Sequence, residues 1–279
     1  MNKIIFIADY FSNEIAGGGE LNNDELINIL NNLGYNIQKI NSRNCSYDYV
    51  KSNKDCFFIV ANFVQLHKAC IEFITNNCKY IIYEHDHKYL ITRNPAIFPN
   101  YIAPKNQIIN ESFYTKAVAV LCQSIFHKNI IKNNLENVNL INLGGNIWPV
   151  NTLNMLENLC NNSKEDTCAI MESNNWHKNT AGAIKYCEVK NLPYKLIPNL
   201  KYEDFLQELS KNKKLVFFPQ TPETLSRLVV ESRMLNLSVI INDKVGASYE
   251  DWFNIKGIEL IKLMKDKRIS ITKTVQELM

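Results

Sequence analysis

The sequence predicts an α/β protein of two doubly wound, Rossmann-like domains, and three observations carry that expectation. Short apolar runs alternate with helix-like segments through both halves of the chain, the pattern of parallel strands joined by crossover helices. At 279 residues the chain is long enough for two such domains. The run Gly144-Gly145-Asn146-Ile147-Trp148-Pro149 interrupts the alternation near the middle and reads as the linker. We therefore expect a first domain over 1–147, a second over 148–258, and a tail over 259–279 whose Lys and Leu content reads as helices that pack back on the first domain.

Lys3–Ala8 reads as the opening buried strand, followed by Ala16-Gly17-Gly18-Gly19-Glu20 and a helix over roughly 21–33. Three consecutive glycines permit close approach of a phosphate to a helix start, and they equally fit a flexible turn. They do not form the G-x-G-x-x-G dinucleotide fingerprint, since Asp24 and Glu25 fill the later positions. Further strands are expected at 36–40, 57–61 and 79–83, with a helix over 65–75. Ligands of doubly wound sheets bind beyond the carboxyl ends of the strands. There the strand at 79–83 runs into Glu84-His85-Asp86-His87-Lys88, the densest ionisable cluster in the chain. On extended backbone His85 and His87 point to one side and Asp86 to the other. A lone histidine is usually structural, but a pair bracketing an aspartate at a strand end is a candidate for chemistry. Neither an H-E-x-x-H motif nor a third ligand lies nearby, so no metal is expected. The segment 92–104 carries Arg93 and three prolines and reads as a loop over the same strand ends, a lid for a second substrate. A strand at 117–122, a helix capped by Ser124 and a strand at 138–143 complete the first domain.

The second half repeats the alternation, with strands at 167–171, 194–197, 215–218 and 239–242 and helices at 180–190 and 202–209. After the buried run Leu215–Phe218, Thr221 suits an N-cap and Pro222 the first helical position, which predicts a helix from there through Leu235. On that helix Glu223 and Glu231 would stand about 12 Å apart along the axis. This is too far to share a proton or a metal. Either both are solvated helix carboxylates, or they hold two ends of one extended polar ligand whose phosphate sits at the helix N-terminus. Gly246-Ala247-Ser248 is expected to form a turn on the same side.

Glu223, seven intervening residues and Glu231, after a strand that ends in a proline, resemble the E-x7-E signature of retaining nucleotide-sugar glycosyltransferases of the two-domain GT-B fold, family 4 in particular. The resemblance extends to compact enzymes of this kind carried by bacteriophages. It implies two domains facing a cleft and a sugar transferred from a nucleoside diphosphate with retention of configuration. By that likeness Glu223 contacts the donor sugar, Glu231 binds the ribose hydroxyls, and the backbone at Thr224 and Leu225 meets the pyrophosphate. Gly18 and Gly19 match the GG-x-E loop that faces the cleft. The family has a histidine at the junction of sugar and acceptor, a role that falls to His85, with Asp86 beside it and with His87 and Arg93 toward the acceptor. It also places an arginine and a lysine against the diphosphate in the loop after the second domain's first strand. Lys178 supplies the lysine, but 172–175 contains no arginine, and Arg227 stands where it could compensate.

Composition narrows the rest. The net charge is +3, from 31 basic and 28 acidic side chains, which neither requires nor excludes a polyanionic partner. No run of eighteen apolar residues occurs, so a cytoplasmic protein is expected. Eight cysteines include no C-x-x-C pair, and buried free thiols are expected rather than zinc ligands or disulfides. Since no D-x-D pair follows a predicted strand of the first domain, no metal or other cofactor is expected beyond the nucleotide-sugar substrate. The acceptor, a glycan, a small molecule or a hydroxylated base in DNA, stays open. Residues 1–150 carry 13 basic against 12 acidic side chains, a balance that argues mildly against DNA and leaves room for a local basic patch. A nucleotide-sugar 2-epimerase and a non-catalytic nucleotide-sugar binding module are the rival readings.

Overall fold

Strict alternation of inward and outward side chains builds the first sheet in the computed structural model, which describes residues 3–15 and 17–279. The strands are β1 (Lys3–Ala8), β2 (Asn36–Asn41), β3 (Phe57–Val60), β4 (Lys79–Tyr83), β5 (Val120–Cys122) and β6 (Leu140–Asn142). All pair in parallel, in the order β2-β1-β3-β4-β5-β6. One face buries Ile5, Ile7, Phe58, Val60, Tyr80 and Ile82; the other buries Ile4, Phe6, Phe57, Ile59, Ile81 and Tyr83. A sheet buried on both faces needs helices on both. The helices of this unit are α1 (Gly18–Asn32), α2 (Tyr47–Ser52), α3 (Lys68–Asn77), α4 (Glu111–Thr115) and α5 (Ile125–Asn134). Ser124 caps α5, its hydroxyl accepting from His127 N at 3.1 Å, as the sequence predicts. The short helices α2 and α4 have too few residues for a periodic signal, and pattern reasoning passes over them.

The second sheet holds β7 (Glu165–Met171), β8 (Tyr194–Ile197), β9 (Asn212–Phe217) and β10 (Ser238–Ile241), again all parallel, in the order β10-β9-β7-β8. Its helices are α6 (Val150–Leu159), α7 (Thr180–Val189), α8 (Tyr202–Ser210) and α9 (Arg227–Met234). Read from the other edge, this order repeats that of the first sheet: second strand, first, third, fourth. Each sheet therefore reverses direction between its first and third strands, at β1/β3 and at β7/β9, where doubly wound folds bind ligands.

The chain divides into a unit that ends at Ile147 and regains 268–279, and a unit formed by Trp148–Lys267. The tail is one helix, α10 (Gly257–Leu278), rather than several; its Ile271 and Val275 pack on the α1 face of the first sheet, beside Leu26 and Leu30. All eight cysteines are free thiols, six of them buried. Among the described residues no helix is long and apolar enough to cross a membrane.

The main departure from expectation follows β9. No helix begins at Thr221 and Pro222. The backbone stays extended, Glu223 forming a parallel bridge with Val245 through Glu223 N to Lys244 O and Gly246 N to Glu223 O, at 2.8 and 2.9 Å. Leu225 O accepts from Ala247 N, and its side chain is buried in the core. Helix α9 starts only at Arg227. A local capping signal is worth about 1 kcal/mol. Here it is outweighed by three backbone bonds to 244–247 and a buried leucine, so Glu223 and Glu231 do not share a helix.

Candidate active site

In the second unit the loops after β7 and β9 meet at the switch point. Asn175 and Asn179 shape the first loop, each side chain capping a helical turn. Gln220 N donates to His177 O at 2.8 Å, and Asn179 Nδ2 donates to Phe218 O at 2.9 Å, which ties the two loops together. Lys178 Nζ is thereby brought to 2.7 Å from Glu223 Oε1, with its ammonium 5.8 Å from the Phe217 ring centroid. Both side chains keep partial exposure, 31% and 18%, so the pair can meet a ligand.

Helix α9 opens at this place. Its cap, Ser226, holds φ 75°, a left-handed conformation that costs a residue with a Cβ about 1 kcal/mol or more. The Ser226 hydroxyl is buried and has no hydrogen-bond partner among the described residues. A strained cap with an unsatisfied hydroxyl, beside first-turn amides that a helix leaves open, suits an anionic oxygen.

Glu231 and Arg227 are placed differently from expectation. Glu231 is 3% exposed; its Oε1 accepts from Trp148 Nε1 at 2.9 Å and from Tyr202 OH at 2.5 Å, and pairs electrostatically with Arg227 Nε at 3.3 Å. Arg227 is 8% exposed, with its guanidinium carbon 4.5 Å from the Trp148 ring centroid. It does not reach out as a stand-in for the missing arginine. Burial first, then the Glu231 charge, pushes the Tyr202 phenol above its ordinary range, so it remains a donor to Glu231. One carboxylate oxygen thus ties α9 to α8 and to the start of the unit, and only Oε2 is left for a ligand.

In the first unit Asp9, at the end of β1, accepts from Val64 N and Gln65 N at 3.0 Å each and from the Ser42 hydroxyl. It clamps the loop after β3 across that sheet's switch point. Gly18 and Gly19 form the first turn of α1, while the neighbouring Ala16 lies outside the described residues. A Cβ on Gly19 would stand 3.4 Å from His85 Cγ, so the helix start lies within van der Waals reach of the imidazole.

His85 is half-buried and held at both ring nitrogens. Its Nε2 meets Asn23 Oδ1 at 2.6 Å, and Gln123 Nε2 donates to Nδ1. Burial, then the Lys88 charge, then His127 depress its pKa well below the usual histidine value. A neutral ring with its hydrogen on Nε2, the tautomer these partners select, is the result. His87 is buried, its ring packed edge-on against Tyr89 and His127, and burial holds its pKa down at about 3. The sequence expectation of an acceptor contact there is not met by its geometry. Asp86 instead pairs with Arg93, Oδ2 to Nη1 3.2 Å, at the surface.

Glu84 anchors the cluster. It is fully buried, takes Lys88 Nζ and the Tyr114 hydroxyl, and accepts from Asp86 N at 2.8 Å. Burial raises its pKa against the opposing pull of Lys88. Asn23, Tyr114, Gln123 and His127 were missed by sequence reasoning. Their proximity is made by tertiary structure alone, and the only local hint was the strand end at Gln123. Glu20 was read as part of the glycine turn; its carboxyl is raised in pKa by burial and accepts from Asn62 at 3.4 Å. Among the described residues no group of three or more His, Cys, Asp or Glu is arranged to hold a metal ion.

No protein-family model matches the chain, and no curated protein matches it by sequence. Solved structures do match it along its whole length. HepE from Anabaena, in complex with UDP and glucose, superposes with a TM-score of 0.56 at 13% identity, covering 100% of this chain and 92% of that one. AviGT4, a glycosyltransferase involved in avilamycin A biosynthesis, gives 0.57 at 10%, covering 100% and 97%. An α-glucosyltransferase in complex with UDP-glucose and DNA containing an abasic site gives 0.50 at 11%, covering 97% and 90%. At these identities the likeness is one of fold: two Rossmann-like, doubly wound α/β units of the GT-B kind.

Proposed function

We propose that the protein is a glycosyltransferase that moves a sugar from a nucleoside diphosphate donor to a hydroxyl acceptor with retention of configuration. The observation that carries this reading is the Lys178–Glu223 pair at the β7/β9 switch point, next to the strained Ser226 cap of α9. Together they offer one cation, a set of backbone N–H donors and a free hydroxyl for the diphosphate, and one carboxylate for the sugar. As the sugar–phosphate bond breaks, negative charge grows on the leaving diphosphate, and fixed donors aimed at that charge lower the barrier without having to reorganise. The backbone at Thr224 and Leu225 leads into this cap. Glu231 reaches the ribose through Oε2 only, and Gly18 and Gly19, in the first turn of α1, face the donor with their backbone.

Donor turnover tests the reading. Incubation with UDP-, GDP- and ADP-sugars, UDP-glucose first because HepE and the α-glucosyltransferase are held with UDP and a glucose or with UDP-glucose, is expected to release the nucleoside diphosphate. Mass spectrometry of the products detects transfer, and chromatographic separation of the sugar epimers detects isomerisation, which leaves the mass unchanged. Isomerised donor would identify an epimerase, and untouched donor a binding module.

Two further results are expected of this site. Since Lys178 and the α9 amides meet the diphosphate charge, turnover should persist in excess EDTA, and full loss restored by manganese would refute that arrangement. Replacing His85 with alanine should lower kcat about a hundredfold with little change in donor KM, if its neutral ring contacts the reacting sugar chiefly in the transition state. Wild-type kcat in that variant removes His85 from the chemistry. Gln123→Ala should lower kcat less, because it frees one ring nitrogen without removing the ring.

A further inference from the structure

The first unit carries a groove of about 520 Å³ between the segment that follows β3 and the loop that follows β4. Its wall includes Val64, Ile91 and Ile109, which are 52%, 56% and 39% exposed. Single exposed aliphatics are ordinary on protein surfaces, but three large ones lining one concavity mark a contact site. The charges on the same wall are all positive: Lys68, Lys88 and Arg93. Lys88 is spent on buried Glu84, whereas Lys68 and Arg93 keep side-chain exposures of 86% and 51%. Lys68 meets an exposed Glu72 at 3.8 Å, and Arg93 holds Asp86 at 3.2 Å while its side chain stays half-exposed. Through Glu84 and Asp86, Lys88 and Arg93 fix the groove to the pentapeptide that contains His85.

Resting on the glycosyltransferase reading, we propose that this groove binds the acceptor and that the acceptor is an anionic amphiphile. Its alkyl part lies along Val64, Ile91 and Ile109, and its anionic group meets Arg93 and Lys68. The apolar wall removes hydrocarbon from water at about 25 cal/mol per Å². The guanidinium fork suits a carboxylate or phosphate. A nucleic-acid duplex would leave the three aliphatics without an apolar partner.

The test uses the full chain and octyl glucuronide below its micellar concentration, with octyl glucoside, methyl glucuronide and a DNA duplex as comparison ligands, in calorimetric titrations without donor. Octyl glucuronide is expected to bind about tenfold or more tightly than methyl glucuronide, for loss of the chain removes several buried methylenes. It should also bind a few-fold more tightly than octyl glucoside, as a half-exposed ion pair allows. Ile91→Asp, a change at an exposed position, should abolish the preference for the chain, and Arg93→Gln the preference for the charge. Equal binding of the methyl and octyl compounds, an unaltered Ile91→Asp variant, or salt-sensitive DNA binding in place of the amphiphile would overturn the proposal. So would donor transfer to other acceptors with none to bound octyl glucuronide. If no acceptor supports turnover of any donor, it is the glycosyltransferase reading that fails, and the titrations alone then decide whether the groove is a ligand site.

Discussion

Replacing Glu231 with alanine is expected to destabilise the second unit by about 3–5 kcal/mol, the usual cost of removing one partner from a buried ion pair. The carboxylate is 3% exposed and its Oε1 collects an indole N–H, a phenol and a guanidinium, so truncation costs three interactions at once. Glu231→Gln should cost less, because the amide oxygen still accepts while the charge opposite Arg227 is lost. The protein's three tryptophans, Trp148, Trp176 and Trp252, all lie in Trp148–Lys267, so urea unfolding followed by their fluorescence reports on this unit alone. Measured beside UDP affinity, the two variants separate the roles of the carboxylate. Loss of affinity without loss of stability would mean that Glu231 serves the ligand and not the fold. A stability loss under 1 kcal/mol would show that Oε1 is not the hub its two donors and one ion pair make it.

The distance between Glu223 and Glu231 along the chain is read directly from the sequence, whereas their geometry was not legible there. The two glutamates were found by sequence distance, and the helix between them was inferred from Thr221 and Pro222, a local rule. What decides the backbone there is pairing with 244–247, some twenty residues away, and the burial of Leu225. Trp148 shows the same limit. Its Pro149 neighbour and the preceding glycines read as a linker, yet the indole is fully buried and donates to a carboxylate 83 residues on. The strands, by contrast, were legible in number and place, though the readings at 117–122 and 215–218 miss the starts of β5 (Val120) and β9 (Asn212) by about three residues; the central strands of a parallel sheet buried on both faces write themselves as continuous apolar runs. Tyr194–Ile197 falls on the predicted bounds, and Lys79–Tyr83 likewise. For the pentapeptide after β4 the position at a strand end was readable, and the roles inside it were not. Partners from α1, α4 and α5 decide that Glu84 and His87 face inward, and no local pattern encodes them.

Those inward-facing groups give the second large effect: the first unit is expected to unfold in mild acid while the second stays folded. His87 and His127 are 1% and 0% exposed and held neutral, His87 with a pKa of about 3 and His127 well below its usual value, in both cases first by burial. Unfolded, each titrates near 6.5, so below that pH the unfolded chain binds protons that the folded unit refuses. Stability therefore falls as pH falls, by about 1.4 kcal/mol per pH unit for a histidine that stays neutral when folded, or about 2 kcal/mol for His87 between pH 6.5 and 4.5, and His127 acts in the same direction. Glu84 and Glu20 oppose this, since burial raises their folded pKa values and lets the folded unit take up protons before the unfolded chain does. They recover part of the loss, and His85, depressed like the others, adds to it. Against a typical stability of about 5–15 kcal/mol the net change is a large fraction for a domain near the low end of that range. Far-UV circular dichroism should drop between pH 6 and 4.5 before the tryptophan fluorescence changes, and His127→Gln, which removes one titrating ring and keeps a donor for the Asp86 carbonyl, should move that midpoint to lower pH. A midpoint that stays put in the variant, or a tryptophan transition that comes first, would mean that the buried imidazoles do not govern the acid stability of this unit.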